Sequence, residues 1–150
     1  WLFFTGNEAT APTDEQANSE ITEPLPGDDP NQEIPEGSAT NQLPTNGDAL
    51  AVLAQQAGAY VTVDNYVLSK AGYIVIHSVN SDGSAGPIIG QSGLLSAGRG
   101  QDLEINATIQ AGRSYIAMLH YDNGDKKFDA NQDAAALDEG KPIMTTFRVQ

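Results

Sequence analysis

The sequence of 150 residues contains no cysteine. This absence excludes a disulfide scaffold, a thiolate nucleophile, a zinc–thiolate site and a copper centre of the kind that requires a cysteine ligand. It leaves the cellular compartment open, because a protein secreted by a prokaryote can be stabilised by its core and by bound ions when disulfides are lacking.

Basic residues are scarce as well. Seven Lys and Arg stand against 20 Asp and Glu, which gives a net charge of −13. The first basic residue is Lys70, so residues 1–48 carry −10 and residues 49–150 carry the remaining −3. Nucleic acid and anionic lipid headgroups would repel such a chain, and both are therefore unfavourable partners. Divalent cations are more favourable ones.

The first third of the chain differs in composition from the rest. Residues 5–48 have no periodic apolar pattern, and six of the eight prolines lie within residues 1–48. This composition predicts a disordered acidic stalk. Residues 1–4, with the sequence WLFF, favour the remnant of a membrane anchor or signal segment, with a chance apolar start as the alternative. Any contact with a membrane is expected only through that missing anchor.

Residues 49–150 show the patterning of a folded domain. Asp48 precedes a run of good helix formers over residues 49–58, for which we expect a short helix, with an extended lead-in strand as the alternative. From Tyr60 onward the apolar period is two, with a turn expected at Asp64 and Asn65. Six or seven short strands predict an all-β fold, an immunoglobulin-like antiparallel β-sandwich.

Several short segments occur together in a familiar order. They are VTV at 61–63, VIH at 75–77, GPIIG at 86–90, AMLHYD at 117–122 and PIMTTFRV at 142–149. The ordered set, which covers about residues 59–150, resembles a family of functionally uncharacterised β-sandwich domains in secreted and surface-anchored proteins of bacteria and archaea. The resemblance implies a β-sandwich at an extracellular or cell-surface location, and it supplies no activity or catalytic residue.

The segment 122–133 is rich in oxygen ligands. Its four carboxylates, Asp122, Asp125, Asp129 and Asp133, are spaced three or four residues apart around a glycine turn, as a flexible calcium loop requires. The order of residues is not that of an EF-hand. The cofactor that this loop favours is therefore calcium, and a solvated acidic hairpin loop is the alternative.

The two histidines offer a second candidate site. His77 and His120 each lie near the C-terminal end of a predicted strand. If those strands are neighbours, the two imidazoles could come close together and take a soft or borderline metal such as copper, with Met118 nearby. Two histidines without an adjacent third ligand form a weak site. The alternative is that both histidines form ordinary hydrogen bonds at the rim of the sandwich.

Catalytic motifs are not indicated. The glycines between Gly83 and Gly93 lack the Gly-Lys-Ser/Thr of a phosphate-binding loop, and Ser92 does not have the spacing of a nucleophile elbow. We therefore expect a protein that is not an enzyme.

Three functional hypotheses remain open. The first is a non-catalytic extracellular module for adhesion, binding or display, held on a stalk, whose partner is another surface protein or a glycan. The second is a structural subunit of a filament, in which a donated N-terminal strand joins copies of the chain. The third is a surface domain that binds calcium or copper.

Overall fold

The computed structural model describes Leu43 and residues 47–150. The predictions for residues 1–4, and for most of the stalk at 5–48, lie outside the described residues. No helix is present in the described part of the chain, and hence none that is long and apolar enough to cross a membrane.

Nine strands make up the described fold. They are β1 Ala49–Ala51, β2 Gly58–Leu68, β3 Gly72–Val79, β4 Ala85–Gln91, β5 Gly98–Ile109, β6 Ser114–Tyr121, β7 Leu137–Asp138, β8 Lys141–Pro142 and β9 Met144–Arg148. All pairings between these strands are antiparallel. The smaller main sheet has the order β1-β2-β5, the larger has the order β4-β3-β6-β9, and β7-β8 forms a separate hairpin.

The core lies between the two main sheets. Alternate residues of β2 and β5 meet alternate residues of β3 and β6 there, as the period of two requires. Each fully buried aliphatic side chain contributes about 2 kcal/mol of transfer free energy. The predicted antiparallel β-sandwich is therefore confirmed. The largest side chains of this core include Val61, Leu68, Ile74, Ile76, Ile105, Leu119 and Val149.

Two local predictions are wrong. The helix expected over residues 49–58 does not form, because Ala49–Ala51 pairs with β2 and Ala49 is buried. Helix propensity is a weak preference that tertiary pairing overrides. The turn expected at Asp64 and Asn65 is also absent, since β2 continues through both residues. The Asp64 carboxylate instead accepts a hydrogen bond of 2.7 Å from the Leu53 amide.

Two parts of the chain repeat the same local structure. Residues 51–60 and 91–100 each leave a strand, form one isolated bridge, bend and enter a long strand. The strand after each long strand carries a similar sequence, YIVIH at 73–77 and YIAMLH at 115–120. These two strands are β3 and β6, which are neighbours in the larger sheet. The repetition therefore brings a histidine from each half of the domain to the same sheet.

Gln55 connects the two main sheets. Its main chain accepts a hydrogen bond from the Gln150 amide and donates one to the Arg148 carbonyl. Its side chain bonds to the main chain of Thr62 in β2, accepting from the amide at 2.9 Å and donating to the carbonyl at 3.2 Å. The glutamine amide therefore takes the place of a peptide group of a neighbouring strand.

Replacing Gln55 with leucine should lower the free energy of unfolding by about 1–2 kcal/mol, because two hydrogen bonds to a strand are lost. Urea unfolding followed by circular dichroism measures the change. The matched control is Gln56→Leu, whose exposed side chain makes one long bond to Gln150, and it should change stability by less than about 0.5 kcal/mol. Equal effects of both substitutions would contradict the assigned role of Gln55.

Candidate metal centre

Both histidines lie on one face of the larger sheet. Ile74 and Ile76 of β3 point into the core, so the residues that alternate with them point to the opposite side, which we call the outer face. In the register of β3 and β6, His77 lies opposite Ile116, and Tyr73 lies opposite His120. The sequence of the chain thus places the two imidazoles on neighbouring strands and on the same side.

Both histidine side chains are shielded from solvent, although they lie on the outer face. His77 is 8% exposed and His120 is 7% exposed. Part of the cover comes from residues 122–133, which we call the cap loop, because the ring of Phe128 packs edge-on against His120 at 5.7 Å and against Tyr73 at 5.3 Å. The two imidazoles are therefore nearly removed from solvent.

The hydrogen bonds of the two rings follow one pattern. Nδ1 of His77 lies 2.8 Å from the carbonyl oxygen of Gly86, and Nδ1 of His120 lies 2.8 Å from the carbonyl oxygen of Asp133. A carbonyl oxygen only accepts hydrogen bonds, so each Nδ1 carries the hydrogen. In a neutral imidazole Nε2 then holds a lone pair. Both Nε2 atoms are buried, and neither has a hydrogen-bond partner among Leu43 and residues 47–150.

This arrangement is typical of histidines that bind metal. A ligating histidine usually donates one ring N–H to a carbonyl or carboxylate, which fixes the ring and directs the other nitrogen to the metal. The ring centroids of His77 and His120 lie 6.1 Å apart, with 22° between the planes. A metal–nitrogen bond is about 2.0 Å long. Two imidazoles that bind one ion from opposite sides therefore have ring centroids up to roughly 6 Å apart. One ion between the rings is therefore compatible with their separation.

Burial also sets the protonation of the site. Burial lowers the pKa of His120 below its ordinary value of 6.5, and the neighbouring His77 lowers it further, while the bond to the Asp133 carbonyl acts in the opposite direction. The neutral ring is the form that binds metal. Burial likewise raises the pKa of Tyr73, with Asp122 as the largest charge contribution, so that its phenol stays protonated.

The lowered pKa of His120 makes the metal-free protein sensitive to acid. The unfolded chain takes up a proton near pH 6.5, whereas the folded chain does so only at lower pH. The contribution of His120 to stability is therefore complete above about pH 6.5 and is lost as pH falls through the folded pKa. Urea unfolding of the metal-free chain at several pH values should show this loss, and His120→Gln should reduce it. An unchanged pH dependence in that variant would contradict the prediction.

The predicted calcium ligands lie in the cap loop, where their oxygens bond to the loop itself. Asp122 accepts from the Lys126 amide at 3.0 Å and Asp125 accepts from the Lys127 amide at 2.8 Å. Asp129 accepts from Asn131 and Gln132, and these bonds lower its pKa. Within Leu43 and residues 47–150, no three His, Asp or Glu side chains are grouped so that they could share an ion. The calcium site stays a prediction.

Asp133 differs from the other three aspartates because it is fully buried. Its carboxylate accepts hydrogen bonds from the amides of Asn123 at 2.9 Å and Asp129 at 2.7 Å. Its carbonyl is the group that receives Nδ1–H of His120. One residue therefore closes the cap loop and orients a histidine.

The sequence contains little indication of these supporting groups. Phe128 is the only aromatic residue of the cap loop, which is a signal that it packs against something. The Gly86 and Asp133 carbonyls leave no signal in the sequence, since any residue supplies a carbonyl. Their role depends on where the chain passes the two rings.

Comparisons with known proteins add one finding. A family model that is described as a domain of unknown function, DUF7282, matches residues 49–150. Neither the search of curated proteins nor the search of solved structures gives a match. The function therefore has to be argued from the residues of this chain.

Proposed function

The chain belongs to the DUF7282 family of domains of unknown function, and we propose that it is a non-catalytic domain that binds a transition-metal ion between His77 and His120. A single observation carries this proposal. Both Nδ1 atoms bond to main-chain carbonyls, while both Nε2 atoms are buried and have no partner in the described part of the chain. The fold thus fixes the orientation of both imidazoles and leaves the Nε2 lone pair of each ring available to bind a metal.

A bound ion would remove the free-energy cost of burying two ring nitrogens that have no hydrogen-bond partner in the described part of the chain. A buried polar atom without a partner costs about 1–3 kcal/mol, and here two such atoms belong to stacked neighbouring rings. A hydrogen bond between the rings would need a second proton on one of them, because each Nδ1 already carries its hydrogen. That imidazolium is disfavoured at His120, whose pKa is lowered by burial. A metal ion satisfies both lone pairs at once.

The charge around the site supports a cation. The cap loop carries four aspartates against Lys126 and Lys127, and the chain as a whole carries −13. A negative field of this kind raises the local concentration of cations and their rate of arrival. The imidazole nitrogens favour zinc, copper, nickel or iron over calcium and magnesium, which prefer oxygen ligands.

The proposed setting is the cell surface or the extracellular space. It is supported by the resemblance of residues 59–150 to domains of surface-anchored proteins, and the acidic, cysteine-free composition is compatible with it. In that setting a stalk would hold the metal-binding sandwich away from the cell. Binding to another surface protein, to a glycan or to copies of the chain stays a prediction, as does adhesion or filament assembly.

Metal titration of the full 150-residue chain tests this proposal. The metal-free protein competes with a chromophoric chelator for Cu(I), Cu(II), Zn(II) and Co(II). We expect one ion per chain at high affinity, and loss of that binding in the double variant His77→Gln, His120→Gln. The matched control is the double variant Asp125→Asn, Asp129→Asn, which alters one exposed and one half-buried carboxylate of the cap loop and should leave the binding unchanged.

Two outcomes would overturn the proposal. One is equal binding by the double histidine variant when circular dichroism shows that it is folded. The other is that no transition metal binds to the wild-type chain. If the histidine variant does not fold, nitrogen NMR of the wild-type imidazoles during titration gives the answer without any substitution. A chain that responds only to calcium, and loses this response in the aspartate variant, would instead support the calcium hypothesis.

A further inference from the structure

The outer face holds more than the two histidines. The chain contains two methionines and two histidines in total. Met118 alternates with Ile116 and His120 on β6, and the register pairs it with Met144 of β9. Residues that are opposite each other on neighbouring strands share a face. Every imidazole and every thioether of this chain therefore lies on the outer face of the larger sheet.

The strand register gives the order of these side chains along the sheet. We call residues that lie opposite each other on neighbouring strands a row. His120 lies in the row of Tyr73, Met118 lies in the row of Val75, and His77 lies in the row that follows. Met118 thus occupies the row between the two histidines and is 8% exposed. Met144 extends the same row to the edge strand β9 and is 48% exposed. Opposite residues have Cβ atoms about 5 Å apart, so the two thioethers are neighbours.

The order runs from solvent to the buried rings. Met144 is accessible at the sheet edge, Met118 is buried beside it, and the two histidines lie in the rows on either side of Met118. Thioether sulfur is a soft ligand that selects Cu(I), whereas zinc proteins use thiolate, imidazole and carboxylate. The chain has no thiolate to offer, and the Asp133 carboxylate is engaged in two amide bonds.

On the basis of the metal site proposed above, we infer that its ion is Cu(I), with Met118 as a third ligand beside the two Nε2 atoms and Met144 as the surface residue that receives the ion. Transfer is an exchange of dative bonds. The ion leaves a donor, binds the exposed thioether of Met144, and passes to Met118 and the imidazoles. Copper stays Cu(I) throughout, and no electron or proton is transferred.

Selenium absorption tests the ligand assignment. Selenomethionine incorporated into the full chain places selenium at the two methionine positions and nowhere else. After addition of one equivalent of Cu(I) as its bicinchoninate complex, the selenium edge should show a copper neighbour at about 2.3–2.4 Å, close to the length of a zinc–sulfur bond. The signal should persist in Met144→Leu and disappear in Met118→Leu.

The affinity for Cu(I) and the rate of Cu(I) uptake distinguish the roles of the two methionines. Met118→Leu should weaken Cu(I) binding by about tenfold or more, which corresponds to about 1.4 kcal/mol, and should weaken Zn(II) or Co(II) binding much less. Met144→Leu should slow the uptake of Cu(I) from the bicinchoninate complex with little change in affinity. Each substitution conserves volume and serves as the control for the other.

The outcomes distinguish this inference from the proposed function. If metal binding needs both histidines but selenium shows no copper neighbour, and Met118→Leu keeps its Cu(I) affinity, the methionines are packing residues and the inference is wrong while the two-histidine site stands. If no metal binds at all, both fail. If Met118→Leu does not fold, the selenium spectrum of Met144→Leu still decides the role of Met118.

Discussion

Replacing Asp133 with alanine is expected to lower the free energy of unfolding by about 3–5 kcal/mol, because two charge-assisted hydrogen bonds of roughly 1.5–3 kcal/mol each are lost. The carboxylate is fully buried and bonds to the amides of Asn123 and Asp129. Without it, those amides lose their side-chain partner and the cap loop loses its closure. Urea unfolding of the metal-free chain measures the change.

Asp125→Ala provides the matched control within the same loop. Asp125 is exposed and accepts one hydrogen bond from the Lys127 amide, so its loss should cost less than about 1 kcal/mol. The Asp133 variant should also bind metal about 10–100-fold more weakly, because the residue that orients His120 is disturbed. Similar losses of stability for the two variants would contradict the assignment of Asp133 as the anchor of the loop.

Replacing Gly72 with alanine is the second substitution with a large expected effect. A Cβ at this position would overlap sterically with the carbonyl oxygen of His120. Gly72 also exchanges two main-chain hydrogen bonds with Leu95, at 3.0 and 2.8 Å. The strands have little freedom to separate, so we expect a loss of about 3 kcal/mol or more, or a failure to fold.

The control for this substitution is Gly93→Ala. A Cβ at Gly93 would meet nothing within 4 Å, and the change should cost less than about 1 kcal/mol. Thermal unfolding of both variants compares them directly. A stable Gly72→Ala protein whose midpoint equals that of the Gly93 variant would show that β3 and β6 do not approach as closely as described.

The alternation of apolar residues predicted most of the fold. Apolar and aromatic residues dominate residues 73–79 and 115–121, a pattern typical of strands, and these residues lie in β3 and β6. The helix predicted over residues 49–58 was wrong because local propensity does not record that β1 has partner residues 14 to 18 positions away. Pairing with β2 decides the conformation of that segment.

The candidate site was predictable only in part. His77 and His120 were predicted to approach each other if their strands were neighbours, and the structure places the rings 6.1 Å apart. The position of Met144 beside Met118 follows from the register of β6 and β9, which a sequence of two short strands does not specify. The cover by Phe128 depends on the path of the cap loop, which Asp133 fixes through bonds to the main chain.

The most direct test of the two-histidine site is long-range nitrogen–proton NMR of the imidazoles in the full chain at neutral pH. The chain has two histidines, so the spectrum contains two ring systems. We predict that both rings carry hydrogen on Nδ1 and a lone pair on Nε2, and that one equivalent of Cu(I) shifts both Nε2 resonances while both Nδ1 atoms stay protonated. Rings that carry hydrogen on Nε2, or Nε2 resonances that do not respond to Cu(I), Zn(II) or Co(II), would contradict the proposed metal site.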